Sequence, residues 1–309
     1  MNRAMLVALL VATPWMASCK PKVRDLPICP EMVAAGRASE ADTQTLPVDV
    51  WYSVLVRNFN RTAMQAPEEP RECSGQKIEV NWPESLKEDP RAAARKLDRR
   101  ALGDGDISFT QTEDGDLLVW ARILELGNGD AVGPVGLVRW VARGLEVRGI
   151  GTVQAPAQRA RLRLETLSDE SQVLVLESET CPEDQKGTCA REVQLLPLVD
   201  QRFVSAPLVE DGVDAGPARF LLTDHFDEPL KDGWIRRYEL QRRLDFETGV
   251  PVMNENIHTK DCDPKSPATP CDERIAASEQ RPLVFQEGVF IAGKSPWKRV
   301  SAEHRKPGA

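Results

Sequence analysis

The chain has 309 residues and carries 40 basic against 48 acidic side chains, a formal charge of −8. Its 41 % share of apolar residues is enough for a packed core, which excludes a disordered or collagen-like chain. Both charge signs are spread along its length, so no basic footprint for nucleic acid is present and no such partner is expected.

The first residues are Met1-Asn2-Arg3, followed by an apolar run from Ala4 to Ala12 and then Thr13-Pro14-Trp15. A positive start, a short apolar stretch and small residues before a cut site predict an export signal over residues 1–18. The run falls well short of the roughly 20 apolar residues that cross a bilayer. Met16-Ala17-Ser18-Cys19 closes it. Ala17-Ser18-Cys19 resembles the lipobox of bacterial lipoproteins, with Met16 where leucine is usual. The resemblance covers the first 20 residues and does not extend to the body. It implies that Cys19 is acylated and becomes the first residue of the mature chain. Several acyl chains, at about 0.8 kcal/mol per buried methylene, make a lasting membrane anchor. Lys20 stands where an inner-membrane retention signal would carry Asp, which points to the outer membrane. An anionic body is not drawn to anionic headgroups, so the lipid supplies the attachment. No later run approaches the length of a transmembrane helix.

Residues 19–46 read as a lipidated N-terminus and linker, with Pro21, Pro27 and Pro30 among polar residues and a short helix over 31–38. A β-rich body follows over 47–300, and a disordered tail over 301–309. Within the body, the β-branched and aromatic residues of 48–56 predict a strand. Asp89, Pro90 and Gly103 bracket a predicted helix over 90–102. Asp104-Gly105, Asp114-Gly115 and Asn128-Gly129 predict hairpin turns. Residues 127–136 hold four glycines, and their Asn-Gly and Gly-Pro steps read as turns. Residues 159–165 alternate as a half-exposed strand, turn at 168–171 and return over 172–177. Further strands are expected as a pair at 192–198 and 202–209, at 234–246, and as a pair at 282–285 and 289–292. Turn signals about 8–12 residues apart indicate a mainly β fold. The candidates are an antiparallel sandwich, a barrel or a propeller-like meander, with one or two short helices.

Seven cysteines are present. Acylation of Cys19 leaves six: Cys29, Cys73, Cys181, Cys189, Cys262 and Cys271. Six cysteines permit about 15 pairings. Nearness along the chain favours Cys181 with Cys189 and Cys262 with Cys271, which leaves Cys29 for Cys73. Export makes disulfides the expected state. No Cys-x-x-Cys and no histidine pair lies near them, so no metal or other cofactor is assigned.

Asp104-Gly105-Asp106 and Asp114-Gly115-Asp116 fit turns better than calcium loops, which need more oxygen ligands at set positions. Of the three histidines, Asp224-His225 and His258 read as parts of polar loops, and His304 lies in the tail. There is no Gly-x-Ser-x-Gly elbow and no phosphate-binding glycine loop, and no catalytic residue is assigned. Arg236-Arg237 and Arg242-Arg243, with Glu239 and Asp245 nearby, read as a solvated strand face. The tryptophans read as core. The expectation is a lipid-anchored envelope protein with a non-enzymatic binding or scaffolding role toward an envelope protein. Two alternatives stand beside it: a carrier of a small molecule or lipid, and an enzyme whose site is assembled from distant loops.

Overall fold

The computed structural model describes residues 28–29, 46–82, 100–141, 144–168, 170–181, 189–247, 249–263, 265 and 271–305. The leader expected over 1–18, Cys19, the helix expected over 31–38, residues 90–99 of the helix expected over 90–102 and the last four residues lie outside these; residues 100–102, which are described, are not helical. The fold is mainly β; among the described residues there are two α-helices and three sheets, one of them nearly closed and barrel-like. Among the described residues, no helix is long and apolar enough to cross a membrane.

The first described element corrects the strand expected at 48–56. Val48–Leu55 is a helix, α1, and it buries Trp51, Tyr52, Val54 and Leu55. Those four positions share one face at a period of 3.6, and packing them overrides the β preference of valine and tyrosine. The Trp51 ring meets Phe109 edge-on at 5.2 Å. Tyr52 donates its hydroxyl to the Gly103 carbonyl at 3.0 Å.

The helix covers the outside of the barrel-like sheet. That sheet runs β1 (Ile107–Gln111), β2 (Leu117–Ala121), β4 (Asp130–Val141), β5 (Gly144–Pro156), β9 (Arg202–Phe203), β8 (Ala190–Val199), β7 (Gln172–Thr180) and β6 (Ala160–Thr166). β3 (Leu124–Glu125) hangs on β4, and β12 (Arg219–Leu221) on β8. Leu118 and Trp120 of β2 face inward with Val135, Leu137, Val153, Leu174 and Leu196. Leu117, Val119 and Ala121 of the same strand face α1. A strand buried on both faces reads as a continuous apolar run, which is what Leu117–Ala121 is.

Two turn readings need correction. Asp104–Asp106 forms a short 3-10 turn leading into β1 rather than a hairpin. Gly133 and Gly136 lie inside β4, where glycine serves close packing: a Cβ on Gly133 would sit 1.7 Å from the Ala121 carbonyl oxygen. Asp114-Gly115 and Asn128-Gly129 do make turns, with φ of 81° and 83° at the glycines.

The outer face of β7 and β8 (Val173, Val175, Val193, Leu195) packs on a second sheet through Leu208 and Phe290. This sheet comprises β11 (Val213–Pro217), β10 (Pro207–Glu210), β18 (Val289–Ala292) and β17 (Val284–Gln286). The single strand expected over 202–209 is thus two: β9 stays on β8, and β10 leaves to pair with β11 and β18. The third sheet runs β13 (Thr223–Pro229), β14 (Ile235–Glu247), β15 (Val250–Cys262) and β16 (Asp272–Pro282). A second helix, α2 (Pro296–His304), lies on one of its faces. Ser295 caps this helix and Pro296 opens it, so residues 301–304 are helical rather than part of a disordered tail.

Candidate functional site

The third sheet differs from the first in having one covered face and one bare face. On the covered face Phe226, Tyr238, Leu240 and Ile257 receive Trp297 of α2. Between this apolar patch and β10 lies a buried ionic cluster. Glu255, 1 % exposed, accepts from Arg242 Nε at 2.8 Å, from Ser295 Oγ at 2.7 Å and from the Trp297 amide at 2.6 Å. Arg281, 2 % exposed, places Nη2 3.2 Å from Glu255 and Nη1 3.2 Å from Glu210, and donates Nη1 to the Gly293 carbonyl at 2.8 Å. Lys298 of α2 bonds the other oxygen of Glu210. Burial pushes the Glu255 carboxyl up, but the Arg242 bond and charge, with the Trp297 and Ser295 bonds, outweigh it and hold the group below its ordinary range. These side chains come from β10, β14, β15, β16 and α2, so the cluster clamps two sheets and the second helix together. Its role is structural. It also corrects the reading of Arg242 as solvated, since its side chain is 7 % exposed.

On the bare face the cross-strand partners make regular rungs. One rung runs Thr223, Gln241, Asn256, Ser278, and the next Arg243, Asn254, Gln280. Apart from Arg243 these are uncharged hydrogen-bonding side chains, and most of them line a shallow open depression of about 480 Å³. The following rungs are charged and internally paired, Lys260 with Glu239 at 2.7 Å and Arg237 with Asp227 at 2.8 Å. The Arg237 bond holds the Asp227 carboxyl below its ordinary range.

The histidines are on strands or a helix, not in loops. His225 lies in β13 and His258 in β15, on the bare face on either side of Glu239. His304, in α2, stacks on Tyr238 at 4.9 Å with Nδ1 3.4 Å from Glu228. Asp224 does not act on its neighbour's ring: it accepts from Trp297 Nε1 and from Arg305, both at 3.0 Å. Asp106 is taken by Arg100 and the Gly103 amide, and Asp116 by Arg139 and Arg148.

The six described cysteines form three disulfides, Cys29–Cys73, Cys181–Cys189 and Cys262–Cys271. The second clamps the end of the β7–β8 hairpin. Glu179 lies near Cys181 and Cys189, yet with both sulfurs bonded to each other the group offers a metal only one free ligand. Cys29 is buried in the core under α1, and its bond ties the start of the described chain to the turn at Cys73. No protein-family model matches the sequence, and no significant similarity to a curated protein or to a solved structure is found.

Sequence reasoning missed the ionic cluster. One signal was available: β15 alternates buried and half-buried positions, and Glu255 stands in the buried phase with Met253 and Ile257. A carboxylate there requires a buried cation.

Proposed function

We propose that the protein is a lipid-anchored component of the cell envelope, held through acylated Cys19, whose β body has a non-enzymatic binding or scaffolding role. One observation carries the anchor. Each cysteine other than Cys19 has a disulfide partner, so the residue that follows Ala17-Ser18 is the odd thiol of an exported chain. The bare, polar face of the third sheet supports the binding role, because it carries uncharged donors and acceptors across its inner strands. The barrel-like interior is filled by its own side chains, which gives no support to the reading as a small-molecule or lipid carrier. Replacing Cys19 by Ala removes the acylated atom. Fractionation should then move the protein from the membrane pellet to the soluble fraction; a variant that still pellets with membranes refutes the anchor.

A further inference from the structure

We propose that β16 pairs edge to edge with β16 of a second copy of this chain, in the antiparallel register that sets Arg274 opposite Glu279. This names the partner for the binding role above and is independent of the lipid anchor.

The inference starts from the two edges of the third sheet. β13 is short, seven residues ending in Pro229, and it abuts β8 through Leu222 and Thr223. Short strands and proline are ordinary protections of an edge. β16 has eleven residues, and among the described residues its only strand neighbour is β15. Nearly all its positions are exposed, Ile275 at 69 %. A free edge of this length is a template for another strand.

The side chains choose the second strand and its register. A bulge lies in β16 where Ile257 pairs with Ala277 but His258 with Ile275. It puts Asp272, Arg274, Ala277, Glu279 and Arg281 on the covered face, and Glu273, Ile275, Ser278 and Gln280 on the bare face. Two such strands related by a two-fold axis must match face with face. Setting Arg274 opposite Glu279 does this, and also sets Ile275 opposite Ser278 and Glu273 opposite Gln280. Ala276 and Ala277, the smallest side chains of the strand, then meet at the axis. A slip by one residue opposes covered to bare positions. A slip by two sets Asp272 against Glu279 in one direction and Arg274 against Arg281 in the other, and like charges opposite each other repel. The favoured register therefore gains two Arg274–Glu279 pairs, one on each side of the axis, as an isologous interface requires. Among the described residues neither side chain makes a salt bridge, although the Arg274 charge acts at longer range on Asp261, so pairing breaks no direct bridge. Charges that would repel a foreign strand are complementary to this one.

The test is light scattering on the full-length chain in detergent, for wild type and for Cys19→Ala, so that failure of the anchor leaves this result readable. Both should be dimers. Arg274→Glu and Glu279→Arg should each give monomers, and the double reversal should restore the dimer. Circular dichroism of each variant should match wild type, because both side chains are exposed. A monomeric wild type, a dimer indifferent to the single reversals, or a double reversal that stays monomeric overturns the proposal.

Discussion

The barrel-like sheet and the β13–β16 sheet solve the same problem in different ways. In the first, β2 is buried on both faces, α1 seals the outside, and glycine at 133 lets β4 press against the chain at Ala121. In the second, one face stays in water, and the other combines an apolar patch around Trp297 with the buried Glu255–Arg242–Arg281–Glu210 cluster. The contrast shows where each region is vulnerable. A sheet with two apolar faces tolerates loss of a surface charge but not added volume. A sheet held by a buried ionic clamp is sensitive to a single proton or a single missing partner.

The largest effect is expected at Glu255. Glu255→Gln leaves Arg242 buried without its counter-charge and Arg281 with Glu210 alone, and should cost about 3–5 kcal/mol in denaturant unfolding. A loss under 1 kcal/mol would mean that apolar packing of α2 suffices. In the barrel-like region the matching change is Gly133→Ala. Its methyl would collide with backbone rather than with a side chain that can turn away, so a loss near 3 kcal/mol is expected, the upper end for overpacking. An unchanged unfolding midpoint would contradict the close packing described.

Acid sharpens the comparison. Glu255 has a folded pKa below its ordinary value despite burial, as do Asp261, beside Arg236, and Asp227, beside Arg237, on the same sheet. For a depressed carboxyl the sign is fixed. Its stabilisation is complete above the unfolded pKa, near 4.3 for Glu and 3.9 for Asp, and is lost as pH falls through the folded value. Unfolding midpoints should therefore drop below about pH 4, and Glu255→Gln should show a shallower drop than wild type. Equal slopes would remove Glu255 from the account. The smallest effect belongs to the bare face. Arg237→Ala breaks an exposed pair with Asp227 and should cost less than about 1 kcal/mol. A larger loss would show that the bare face contributes to stability as much as the clamp does.

These regions also differ in how far they could be read in advance. The apolar run of β2, the turns at Gly115 and Gly129, and the pairing of cysteines near each other in the chain are local features, and each was legible. Residues 48–55 misled because valine and tyrosine favour strands, while the decisive fact, an apolar sheet face waiting at β2, is a tertiary one. The helix at 296–304 went unread, because its polar residues beyond 300 resemble a disordered tail even though Ser295 caps it and Pro296 opens it. The ionic clamp was least legible. Glu210, Arg242, Glu255 and Arg281 come from four strands, and only the fold brings them together.

The proposed anchor rests on one thiol set apart from six others. Mass spectrometry of the protein taken from membranes, digested without reduction, tests this directly. The account predicts an N-terminal peptide that begins at Cys19 with the added mass of its acyl groups, together with three disulfide-linked peptides and no free thiol. A Cys19 found bare, still behind its leader, or bonded to another cysteine would contradict it.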